Sequence, residues 1–135
     1  MTDKDSIKTT VNERAKFAYE CVKKVATYEK EEFKNNYKSY AKKLMAIIKT
    51  NGLGATLAFM KAKGSSVYQE LYNNIDSWLK SENCPVSSLY SNSTADMVEK
   101  IISLESDAYR AITKEVMEFI NWIRKFAEGM IPDDK

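Results

Sequence analysis

Four glycines and two prolines are all that interrupt 135 residues. A chain with so few breakers lacks the turns an all-β domain needs, and long helices are what it readily fills. The apolar residues agree. Val11, Ala15, Ala18, Val22 and Val25 recur at spacings of three and four, which places them on one helical face. Thr10-Val11-Asn12-Glu13 has the pattern of a capping box, so a first helix is expected over about 10–30. A second is expected over 33–50, with Phe33, Tyr37, Tyr40, Leu44, Ile47 and Ile48 on one side and Gly52 ending it. A short third runs from Leu53 to about Ala62 and stops at Gly64. Ser66 and Gln69 form a second capping-box pattern for a fourth helix reaching Leu79 or Lys80. Residues 81–93 carry Pro85 and many small polar residues and read as a loop. A fifth helix follows Ser93, and a sixth covers about 105–129 with Ala108, Ile112, Val116, Phe119, Ile123 and Phe126 inward.

The expectation is therefore an all-α fold: a compact, elongated bundle of five to six helices. With 44% hydrophobic and 30% charged residues the chain has a globular balance. Its length fits a single domain over 1–135, with 1–9 and 130–135 as flexible ends. Apolar runs are too short for a membrane span or a signal-peptide core, which points to a cytoplasmic protein. Histidine is absent, which removes the commonest general base and the commonest metal ligand together. Cys21 and Cys84 are too far apart for a metal-binding pair and read as two buried thiols. No catalytic set, metal site, cofactor or small-molecule substrate is expected. Gly52-Leu53-Gly54 lacks the preceding strand and third glycine of a dinucleotide site and reads as helix capping. Glu115 falls on the apolar side of the last helix, where it needs a buried partner or lines a groove.

Net charge is only +2, but its distribution is uneven. Between Phe33 and Gln69 there is no Asp or Glu, while Lys34, Lys38, Lys42, Lys43, Lys49, Lys61 and Lys63 all lie there. On a helical wheel Lys34, Lys38, Lys42 and Lys49 share one strip beside the apolar face. Like charges so placed repel, and a phosphate-rich partner relieves them. A solvated lysine face that binds nothing fits the same pattern. Tyr37 and Tyr40 lie among these lysines. Rings beside basic groups can stack on bases, but both tyrosines also fall on the apolar face, where core packing suits them. A second basic cluster, Arg110, Lys114, Arg124 and Lys125, lies on the outer side of the last helix with Met117 and Glu118.

Three stretches together resemble a known family. They are Glu13-Arg14-Ala15, then Tyr40-Ala41-Lys42-Lys43-Leu44 with Ile48 through Phe59 (IKTNGLGATLAF), then Tyr109-Arg110, Thr113-Lys114-Glu115 and Trp122 through Glu128 (WIRKFAE). The family is the small α-helical subunit of the type III-B CRISPR effector, the Cmr complex. The resemblance covers about 12–129. It implies a helical bundle without a catalytic site, copies of which stack beside the backbone subunits and the large polymerase-like subunit. It also implies that the stack lines a positive channel for target RNA paired to guide RNA, in antiviral defence. The family often has a proline where Met45 stands, so the second helix is expected to run straighter here. Arg14, Lys42, Lys43, Lys49, Lys61, Arg110, Arg124 and Lys125 lie in matching stretches and are the expected RNA contacts. Lys38 and Lys63 join them on wheel position and charge. A purely architectural module that meets protein alone is the competing reading.

Overall fold

A computed structural model of the chain describes residues 3–90 and 93–133, with side chains described from residue 9 onward. Among the described residues the fold is all-α. The helices are α1 (Asp3–Ala26), α2 (Glu31–Asn51), α3 (Leu53–Lys63), α4 (Ser66–Lys80), α5 (Met97–Ile102) and α6 (Ser106–Met130), with one 3₁₀ turn at Ser87–Leu89. At about 1.5 Å per residue, α6 is roughly 37 Å long. It packs along α1 on one flank and α2 on the other. Arg14 faces Glu115 and Tyr19 faces Phe126, so α1 and α6 run the same way. Lys38 reaches the carbonyl of Ile131 while Lys49 lies beside Met117 and Asn121, so α2 runs against them. The short helices α3 and α4 complete the core from the other side of α2.

The apolar stripes read from the sequence meet in one core. Ala18, Val22 and Val25 of α1, Tyr37, Leu44 and Ile48 of α2, and Ile112, Val116, Phe119 and Ile123 of α6 are all buried. Trp78 of α4 lies at its centre. Its ring stacks on Phe119 at 5.8 Å and meets Phe17 at 5.2 Å. Such aromatic pairs contribute about 0.5–1.5 kcal/mol beyond the area they bury. Both cysteines are free, and burial pushes the Cys84 thiol up to about 11 and that of Cys21 up to about 12.

Three boundaries differ from the sequence reading. First, α1 begins at Asp3, so Thr10 to Glu13 are interior helix residues and not a capping box. The expected flexible start therefore holds helix over 3–9, while residues 1 and 2 lie outside the described residues. At the other end α6 runs to Met130 and Ile131 is buried; residues 134 and 135 lie outside the described residues. Second, the cap of α4 is Ser65, whose hydroxyl accepts the amide of Tyr68 at 3.2 Å; Ser66 is already helical. Third, the expected loop over 81–93 carries a 3₁₀ turn at Ser87–Leu89 and is anchored to the bundle through Tyr90, while residues 91 and 92 lie outside the described residues. Tyr90 is buried, donates to Asp76 at 2.6 Å, and carries the Lys100 ammonium 4.3 Å from its ring centroid.

Gly52 makes the sharp turn between α2 and α3. At φ 88° and ψ 161° it occupies a region open essentially to glycine alone. Its amide closes α2 on Ile48 and its carbonyl receives the amide and the hydroxyl of Thr56. Gly52→Ala should lower unfolding free energy by about 1–3 kcal/mol. Chemical denaturation checks this, and an unchanged midpoint would mean the turn is not held as described.

Candidate nucleic-acid interface

The acid-free stretch of sequence is not acid-free in space. Lys34 pairs with Glu31 at 2.8 Å, one turn earlier on the same helix. Lys38 donates to the Ile131 carbonyl at 3.0 Å and also pairs with Asp133, tying α2 to the end of α6. That lysine holds the Asp133 carboxyl below its ordinary range. Lys61 pairs with Asp96 at 3.1 Å, and its ammonium lies 5.4 Å from the centroid of the Tyr72 ring. Burial raises the Asp96 carboxyl, but hydrogen bonds from Tyr72 and Lys61 outweigh it and bring the group below its usual value. Three of the seven lysines are thus neutralised from outside the stretch.

The other four are different. Lys42, Lys43, Lys49 and Lys63 are exposed, and among the described residues none of them forms an ion pair. They divide between two flanks of α2. Helical spacing puts Lys42 on the same side of α2 as Lys38 and Lys49, which meet the α6 segment. There Lys49 borders a shallow groove of about 260 Å³ with Met45, Met117, Glu118 and Asn121. Lys43 points to the α3–α4 side, where its ammonium lies 5.6 Å from the Tyr40 ring centroid. Lys63 stands at the same distance from the Phe59 ring. The wheel strip therefore does not bring all the predicted lysines together.

The second cluster is half satisfied within α6: its two arginines are paired, while Lys114 is exposed and, among the described residues, forms no ion pair. Arg110 pairs with Asp107. Arg124 reaches Glu128 at 3.2 Å and the Asn121 side chain at 2.8 Å. Lys125 has no carboxylate partner among the described residues and lies over Trp122 at 5.0 Å. Trp122 stacks on Phe126, which meets Tyr19 edge-on, and Tyr19 is 39% exposed. This outward aromatic row across α1 and α6 was not read from the sequence, although Trp122 and Phe126 stand one turn apart.

Arg14 needs correction as an RNA contact. It is only 9% exposed, and its guanidinium donates to both carboxylate oxygens of Glu115, at 2.5 and 2.8 Å. Glu115 also accepts the Trp78 indole N–H at 2.9 Å. The hydrogen bonds to Glu115 hold the Arg14 guanidinium charged, above its ordinary value, against the pull of burial. The signal was present, since Arg14 follows Val11 and precedes Ala18 on the inward face of α1. Tyr37 is likewise committed to the core, donating to Asn74 at 2.6 Å. Among the described residues no group of three or more His, Cys, Asp or Glu could hold a metal, and no helix is long and apolar enough to cross a membrane.

Comparison with known proteins places this geometry in a family. The sequence model of "CRISPR-associated protein (Cas_Cmr5)" matches residues 10–130. A curated relative, "CRISPR system Cmr subunit Cmr5" of Thermus thermophilus, is 26% identical over 119 residues, covering 88% of this chain and 93% of that protein. A crystal structure of a Cmr5 family protein from the same organism superposes with a TM-score of 0.71 at 25% identity, covering 92% of this chain and 98% of the other.

Proposed function

The chain belongs to the CRISPR-associated Cmr5 family, the small subunit of the type III-B Cmr complex, and from that premise we propose that it lines the path of single-stranded target RNA without catalysing a reaction. Other Cmr subunits are its partners. Copies of the chain stack beside the guide-bearing backbone and the large subunit, and their lysines offset the charge of the transcript. The carrying observation is the set of exposed lysines, Lys42, Lys43, Lys49 and Lys63, left without a carboxylate in a fold that pairs their neighbours. Phosphate contacts of this kind position a strand without reading its sequence, and pairing with the guide supplies specificity.

The architectural reading has one observation of its own. The Tyr19–Phe126–Trp122 row is the type of half-buried aromatic surface on which protein contacts centre. It lies on the α1–α6 side and so can serve a protein neighbour while the α2 lysines serve RNA.

Salt dependence in the assembled complex separates the two. With about four phosphates held per copy, log affinity for target RNA should fall against log salt with a slope near −3 contributed by this subunit. The subunit should also photocrosslink to target. A particle whose salt slope is unchanged when all four lysines are replaced by glutamine, and which yields no crosslink to this chain, would leave only the architectural role.

A further inference from the structure

The aromatic side chains beside Lys43 and Lys63 form a connected set. The Lys43 ammonium meets Tyr40, Tyr40 stacks on Tyr68 at 4.5 Å with the rings 16° from parallel, Tyr68 meets Phe59 edge-on at 5.5 Å, and Phe59 carries Lys63. Three helices contribute: α2 gives Tyr40 and Lys43, α3 gives Phe59 and Lys63, and α4 gives Tyr68. Tyr40 and Phe59 are half-buried, Tyr68 is buried beneath them, and both lysines are exposed. Glu70, the acid nearest to Tyr68 along α4, is turned away and accepts from Tyr28 and Asn74.

We propose that this face is a base-stacking platform for single-stranded RNA, with Tyr40 and Phe59 meeting bases and Lys43 and Lys63 holding the adjoining phosphates. The assignment rests on the reading that the subunit lines the RNA path, and it adds base contacts on the Lys43–Lys63 flank of α2 to the phosphate contacts of Lys42 and Lys49. The groove beside Lys49 is lined by two methionines, Glu118 and Asn121, with no ring among these residues.

The energetics favour an exchange. A lysine over a ring on an exposed site is held weakly, and base stacking on the same ring is the stronger contact. An arriving base can therefore take the outer side of Tyr40 or Phe59 while the displaced ammonium moves to a phosphate. Tyr68 supports the inner side of the Tyr40 ring and fixes its plane, which lowers the ordering cost. Rings tolerate any base, so the platform suits a subunit that must accept every target.

The test uses the assembled complex carrying its guide RNA. The probe is a single-stranded RNA that pairs with the guide and extends past it, so that unpaired bases are available to the rings. Tyr40→Leu and Phe59→Leu keep apolar bulk while removing the rings, and Tyr40→Phe keeps the ring alone. Thermal unfolding of each isolated subunit confirms that it folds. The Leu variants should weaken target affinity roughly tenfold per ring at an unchanged salt slope, and Tyr40→Phe should bind as the parent does. Lys43→Gln with Lys63→Gln should instead reduce the salt slope by about 1.4. If the Leu variants bind normally while the Lys variants lose slope, stacking is wrong and the electrostatic reading stands. If neither set changes affinity or slope, both readings fall.

Discussion

Arg14→Ala is expected to lower the unfolding free energy by about 3–5 kcal/mol, the usual cost of stranding one member of a buried ion pair. The melting temperature of a chain this size should drop by about 10–20 °C. The cause is Glu115, which is 4% exposed and depends on Arg14 for two of its three hydrogen bonds. Only the Trp78 N–H remains once the guanidinium is gone. The pair itself need not be strongly stabilising, because taking two charges out of water offsets most of their attraction. That distinction gives a second arm. Arg14→Leu combined with Glu115→Gln removes both charges and keeps an acceptor for the indole, so most of the loss should be recovered. Calorimetry on the three proteins decides. An Arg14→Ala protein melting within about 3 °C of the parent would mean that water reaches the pair. Folded Arg14→Ala complexes should capture RNA normally, since this side chain is held by Glu115 and is almost wholly buried.

The fold was legible because helical periodicity and glycine punctuation act locally. Gly52 and Gly64 end α2 and α3 where a positive φ is needed, and the residues around them carry that information alone. The misread ends have the same origin. Thr10 and Ser66 match the capping pattern, yet a preceding residue that can also be helical or cap moves the true start upstream. The binding face was legible only in part. Absence of acid over 33–69 is a statement about one stretch, whereas an ion pair is a statement about space. Asp96 and Asp133 reach Lys61 and Lys38 from segments remote in sequence, which no local pattern reveals. Arg14 shows the reverse error. Its inward position was in the sequence, as was that of Glu115, but pairing the two required knowing that α1 and α6 run side by side.

Reversing the charge at three positions, Lys42→Glu, Lys43→Glu and Lys49→Glu together, is expected to weaken target RNA capture by roughly a hundredfold at physiological salt. An exposed ion pair contributes up to about 1 kcal/mol after solvent screening. Three lost phosphate contacts therefore amount to at most about 3 kcal/mol, or roughly two decades of affinity, and the introduced repulsion makes up for contacts weaker than that limit. The fold should survive. All three side chains are exposed and none supports a neighbour through an ion pair, while an acid at position 42 stands four residues from Lys38 and adds a favourable helical pair. Net charge changes by six units, so a matched control is needed. Lys16→Glu, Lys23→Glu and Lys30→Glu make the same change at exposed lysines on α1 and the α1–α2 turn. If capture depends on local contacts, the control should lose only a few-fold, and raising salt should narrow the gap between the two triples because the control keeps the counterion-releasing phosphate contacts that the α2 triple has lost. Equal losses at every salt concentration would show that RNA responds to the overall field of the subunit, and the α2 lysines would then have no claim to be the contact face.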